Sequence, residues 1–204
     1  MKVYVCVVGE LMTNCYILEN EETKEVLIVD PGDDAPGIVE SIEARGEKPV
    51  AILLTHAHSD HILAVPELRA KYDIPVYIGE IETALLEDGT RNNPFGSSEG
   101  MKADRTVKEG DVLTLAGLTF KVIHTPGHTA GSVCYYFEKE KILAAGDTLF
   151  YQSYGRTDLP TGSDKAMFFT LRRLLSELPG DVEVLPGHGR GTTIGYEKKV
   201  KKFI

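Results

Sequence analysis

Apolar residues run in short blocks along the first third of the chain. Val3–Val8, Cys15–Leu18 and Val26–Val29 read as strands, with turn chemistry at Asn20-Glu21-Glu22 and a stop at Asp30-Pro31-Gly32. Ile38, Val39 and Ile42 then recur at helical spacing and predict a helix over 35–45, closed by Gly46. A strand at Val50–Leu54, a helix over 62–72, a strand at Pro75–Ile78 and a short helix over 80–86 follow. Residues 88–106 break the pattern. They are polar and turn-rich, and a loop of that length inside a compact domain predicts a mobile flap beside a site. Strands resume at 112–115, 118–124, 132–137 and 142–145. A strong helix over 164–178 then carries Phe168, Leu171, Leu174 and Leu175 on one face, before a strand at 182–185. This order predicts an α/β chain of two sheets with helices packed outside them.

The chain has 204 residues, 42% hydrophobic and 26% charged, an ordinary globular composition with length for one domain. Its net charge of −9 argues against nucleic acid as a main partner, since that task needs a basic face. The N-terminus enters a strand pattern without a basic, then apolar, leader. No apolar run approaches the ~20 residues that span a bilayer, so no membrane partner is expected. Cys6, Cys15 and Cys134 sit at no metal-like spacing and read as free buried thiols, which suits a cytoplasmic location.

The chemistry concentrates after Ala51–Leu54. Residues 55–61 read Thr-His-Ala-His-Ser-Asp-His, placing His56, His58, Asp60 and His61 in the loop that leaves a buried strand. Neutral imidazoles and a carboxylate at this density suit zinc and similar borderline cations. His128, Asp147 and His188 each stand in a glycine-flanked turn directly after a strand-like run. Glycine lets the backbone turn tightly and approach a bound group closely. Together these residues offer seven N/O ligands. That is too many for one tetrahedral zinc and suits two metals sharing a bridging carboxylate.

His56-x-His58-x-Asp60-His61, His128, Asp147 and His188, preceded by Asp30 in Val-Asp-Pro-Gly, resemble the motif set of the metallo-β-lactamase superfamily. Thr125–Ser132, Gly146–Phe150, Gly155–Pro160 and Gly187-His-Gly with Thr192–Gly195 look like its glyoxalase II-like branch, in the short single-domain form of hydroxyacylglutathione hydrolase-like proteins. The resemblance covers residues 1–204 nearly end to end and implies a four-layer αββα sandwich of two mixed sheets. It implies one metal on His56, His58 and His128, and a second on Asp60, His61 and His188. Asp147 would bridge them, and Asp30 would support the histidine loop through hydrogen bonds. The cofactors expected are two divalent ions, zinc first, with iron or manganese as alternatives. The helical C-terminal region that grips glutathione in full-length relatives has no counterpart after Gly195, so glutathione specificity does not transfer.

The expected reaction is hydrolysis of a small-molecule thioester or ester by a hydroxide held between the metals, with Asp60 also orienting that hydroxide as a catalytic residue. A departing thiolate needs no strong acid. The segment after Asp147 borders the site. Arg156 either anchors a substrate carboxylate or braces the loop through Asp158, and Tyr151 and Tyr154 either contact substrate or pack. His124 reads as structural. The alternatives are a mononuclear iron persulfide dioxygenase using His56, His128 and Asp147, a lactonase or phosphodiesterase on the same ligands, and a non-enzymatic metal-binding module. Metal content discriminates hydrolysis from oxygen chemistry.

Overall fold

The computed structural model describes residues 1–93 and 99–201. Two six-stranded mixed sheets face each other. The first holds, in spatial order, β1 (Lys2–Val8), β2 (Thr13–Glu19), β3 (Glu25–Val29), β4 (Lys48–Leu53), β5 (Val76–Gly79) and β6 (Arg105–Val107). Its first three strands are antiparallel, and β3 to β6 run parallel. The second holds β7 (Val112–Leu115), β8 (Leu118–His124), β9 (Val133–Phe137), β10 (Ile142–Gly146), β11 (Glu183–Pro186) and β12 (Thr192–Thr193), with only β10 and β11 parallel.

Strand alternation explains the layers. Leu27, Val29 and Leu53 face inward onto Phe120, Val122, Tyr135 and Phe137 of the second sheet. The residues between them, Val26, Ile28 and Ile52, face outward onto α1 (Ala35–Ala44), α2 (Val65–Tyr72) and α3 (Thr83–Glu87). On the other side Cys134, Tyr136, Leu143 and Ala145 meet Met167, Leu171, Leu174 and Leu175 of α4 (Asp164–Glu177), with Ile194 of α5 (Ile194–Val200). Both sheets are therefore covered on two faces, which is why β2, β3 and β10 read as continuous apolar runs. The four-layer αββα architecture is as expected.

Three elements escaped the sequence pattern, and each is short. In β6 only Val107 is buried, so no alternation develops; the strand exists because it pairs with β5. The two residues of β12 pair with β11, and α5 follows with Thr193 as its cap, accepting from Tyr196 N at 3.2 Å. The helix expected from Ile62 starts at Val65, because Ser59–His61 form a 3-10 turn and Pro66 fits only the first helical turn.

The 88–106 segment is tied down at both flanks. Asn92 O accepts from Ser59 N at 2.8 Å, Met101 N donates to Leu86 O, and Asp104 takes Arg69 and Val76 N. Its middle, 94–98, lies outside the described residues. The flanks' backbone groups thus find partners on α3, β5 and the histidine loop.

Candidate metal centre

Asp30, the histidine loop, Asp147 and His188 follow β3, β4, β10 and β11, and His128 lies in the turn between β8 and β9. Strand direction brings these ends to one rim of the sandwich. The start of β2 reaches the same rim because it runs antiparallel to β3. There Asn14 N donates to Gly187 O at 2.7 Å, so the two sheets are joined beside the site.

The seven expected residues converge. His56, His58 and His128 form one buried cluster, and Asp60, His61 and His188 form another; within each, one ligand atom per residue lies within 4.8 Å of the others. His58 Nδ1 faces His128 Nε2 at 2.8 Å. Two imidazole nitrogens this close need a proton on one or a cation against both. In the second cluster Asp60 Oδ2 lies 3.2 Å from His188 Nε2 and 3.4 Å from His61 Nε2. Asp147 sits between the clusters, Oδ1 3.4 Å from His61 Nε2 and Oδ2 3.5 Å from His128 Nε2.

On three of these rings the outward-facing nitrogen is held by the protein. His61 Nδ1 meets Asp30, His128 Nδ1 meets Arg156 O at 2.7 Å, and His188 Nδ1 meets Leu11 O at 3.0 Å. The inward-facing ones include buried atoms with no hydrogen-bond partner among the described residues: His56 Nε2, His61 Nε2 and Asp147 Oδ1. Orphaned buried polar atoms are costly in a native interior unless something binds them. Converging imidazoles and carboxylates of this kind fit borderline divalent cations.

Charge is graded across the site. Burial, helped by the neighbouring rings, holds His56 well below the ordinary histidine range and pulls His58 down to about 3. Burial works the same way on His61 and His188, but the adjacent carboxylates outweigh it. His61 is held well up, and His188 is pushed up to about 10. Burial opposes ionisation of Asp60 and Asp147 as well, yet His61 and His188 bring Asp60 down to about 2 and hold Asp147 well below the carboxylate range.

A cavity of about 370 Å³ opens over His58, Asp60, Asp147 and His188, walled by Leu11, Phe150 and Leu159. Arg156 lines it too, but its guanidinium is bidentate to Asp158 at 2.7 and 2.8 Å, which is the loop brace rather than a free anchor. Tyr151 and Tyr154 do not line it. Tyr151 stacks on Tyr196 under Arg190, and Tyr154 packs on Phe168 of α4. His124 Nε2 donates to Ala130 O at 2.9 Å, away from the clusters, in keeping with its structural reading.

Several supporting residues carried no sequence signal. Thr13 Oγ1 donates to Asp60 Oδ2 at 3.0 Å. Asn14 Nδ2 donates to Pro186 O and Gly189 O, and Tyr16 OH to Pro186 O, so the His188 turn hangs on β2. Polar residues in the Thr-Asn-Cys-Tyr run look like any strand start until the fold brings residue 188 beside them.

Residues 8–188 match the metallo-beta-lactamase superfamily. The chain belongs to that superfamily. A probable metallo-hydrolase of Bacillus subtilis is 36% identical over 97% of this chain and 94% of its own length. A hydroxyacylglutathione hydrolase of Haemophilus influenzae is 31% identical over 100% and 98%. Among solved structures, the B3 metallo-beta-lactamase BLEG-1 superposes with a TM-score of 0.93 at 40% identity, covering 99% of each chain. TTHA1623 in a di-iron-bound form superposes with a TM-score of 0.83 at 36% identity, over 99% and 100%. This superfamily member is accordingly a metal-dependent hydrolase. The three cysteines are free; Cys15 and Cys134 are buried, whereas Cys6 is only half-buried beside Ser41. Burial raises both buried thiols, Cys134 to about 11, so neither is a ready nucleophile.

Proposed function

We propose that this metallo-hydrolase is a dinuclear thioesterase of the glyoxalase II-like type, acting on small acyl thioesters. One ion would be held by His56, His58 and His128, the other by Asp60, His61 and His188, and both by Asp147. The observation that carries the reading is Asp147, whose carboxylate faces rings of both clusters, Oδ1 against His61 and Oδ2 against both His128 and His188. Two divalent ions in such a site supply a nucleophilic hydroxide at neutral pH and polarise a carbonyl.

The chain's own groups then have distinct tasks. Asp60, held by Thr13 and His188 and kept ionised, accepts a hydrogen bond at Oδ2 and orients the nucleophile. Leu11, Phe150 and Leu159 exclude water beside the acyl group. Among the described lining residues Arg156 is the one titratable group outside the proposed ligands, and a guanidinium held bidentate by Asp158 supplies no proton to a leaving group. That favours a thiolate, which departs without protonation. The near full-length likeness to a hydroxyacylglutathione hydrolase supports the same class.

The test is metal analysis alongside kinetics on a thioester panel. Two ions per chain are expected, with lactoylglutathione and other small thioesters hydrolysed within about tenfold of one another, about 1.4 kcal/mol of transition-state binding. Strict dependence on glutathione would overturn the breadth of that substrate range. One iron per chain and no thioesterase activity would overturn the whole and favour the dioxygenase.

A further inference from the structure

Glu82 is buried, outside both ligand clusters, and takes part in no step of the proposed reaction. It sits at the end of a 3-10 turn, Glu80–Glu82, that follows β5 in the first sheet. Its Oε1 accepts from Ala57 N at 3.1 Å and its Oε2 from Gly131 N at 2.9 Å. Ala57 lies between His56 and His58, and Gly131 lies three residues after His128. One carboxylate therefore spans the two backbone segments that carry the three-histidine cluster, one from each sheet.

The local shape is built around that span. A Cβ on Gly131 would overlap Glu82 N and lie 2.6 Å from Glu82 Oε2, and a Cβ on Gly79 would lie 2.5 Å from Gly131 O. Only glycines allow the β8–β9 turn to come this close to the carboxylate. The strands just inside are tied independently, by Val133 N to Thr55 O at 2.9 Å and by Tyr135 OH to Leu54 O at 2.8 Å. Loss of Glu82 thus leaves the sheets joined and frees the loop ends, where the ligands are.

We propose that Glu82 is a positioning residue that clamps the His56–His58 loop to the His128 turn and so sets the affinity of the three-histidine site, without contacting the ion. The inference rests on the ligand assignment proposed above. A carboxylate suits the task because it accepts both N–H groups at once, whereas an amide offers one oxygen and turns an N–H donor toward the other. Groups that orient ligands from behind are worth about 10–100-fold in metal affinity.

The experiment titrates zinc against a chelator in two single-site backgrounds, His188→Ala, which keeps the three-histidine site, and His58→Ala, which keeps the other. Glu82→Gln is expected to weaken zinc at least about tenfold in the first and to leave the second within about twofold. Circular dichroism and thermal melting of the metal-free proteins monitor the fold, and Glu82→Asp, charged but too short for both bonds, should resemble Glu82→Gln. Equal losses in both backgrounds, no loss in either, or a Glu82→Gln protein that fails to melt cooperatively would overturn the clamp. A wild-type chain that binds only one ion would overturn the two-site assignment itself, a result visible before any Glu82 variant is made.

Discussion

Asp30 Oδ2 lies 3.1 Å from His61 Nδ1, behind the ring whose other nitrogen faces Asp60 and Asp147. The same carboxylate accepts from Thr55 N at 2.7 Å and Thr55 Oγ1 at 2.6 Å, so the end of β3 holds the entry to the histidine loop. Asp30→Asn keeps the shape but turns an amide N–H toward a donor. The ion at Asp60, His61 and His188 should bind about 10–100-fold more weakly. Stability should fall by about 1–3 kcal/mol through the unsatisfied buried group. Chelator competition and denaturant melts measure both, and unchanged affinity would assign Asp30 to the fold alone.

Removing ligands should separate shared from private ones. Asp147→Ala is expected to lose both ions, because its carboxylate faces His61 and His188 of one cluster and His128 of the other. His188→Ala should lose mainly one. Elemental analysis of the purified variants reads the outcome directly, and a second ion retained by Asp147→Ala would argue against a bridge.

Metal uptake should release protons unequally. In the metal-free chain burial and the neighbouring rings hold His56 and His58 toward the neutral form, while the carboxylates of Asp60 and Asp147 hold His61 and His188 toward protonation. Filling the second cluster must displace protons from these rings, so its affinity falls more steeply with acid than that of the first. Calorimetry in two buffers of different ionisation enthalpy distinguishes the two binding events. The same groups give the metal-free fold a pH dependence. The stabilisation from His188, whose folded pKa is raised, is complete below about pH 6.5 and is lost as the pH climbs toward 10.

Two glycines in one turn should respond oppositely to alanine. A Cβ on Gly187 would overlap Asp147 Oδ1 and lie 2.7 Å from His61 Cε1. Gly187→Ala is therefore expected to abolish metal binding at the second cluster. Gly189 has φ +71° and open space around its Cβ position, so Gly189→Ala should cost roughly 1–2 kcal/mol of stability and leave the metals bound. Thermal melts with metal analysis check the pair.

Arg156→Ala should change KM for neutral and acidic thioesters by the same small factor, because its guanidinium is committed to Asp158 rather than to substrate. A rise confined to acidic substrates would show that the guanidinium leaves Asp158 when substrate binds.

The motif loop carried its chemistry in sequence because metal ligation demands particular side chains at close spacing, and His56, His58, Asp60 and His61 are local to one strand end. Long buried strands and amphipathic α4 were equally legible, because burial on two faces or one stripe leaves a periodic trace. Strand β6 left none: three residues with a single buried side chain hold their place only through pairing with β5.

The partners of the ligands were decided by tertiary structure. Thr13 and Asn14 are 47 and 172 residues from the groups they hold, Asp60 and Pro186. Hydrogen bonds of that kind depend on which strand ends share a rim, and a linear pattern does not carry that information. The same holds for Tyr151 and Tyr154, adjacent in sequence to the site yet turned onto Tyr196 and Phe168. Residue type determined that this chain can bind metal. The antiparallel run of β2 beside β3, and the meeting of two sheets at one end, decided which side chains hold the ligands still.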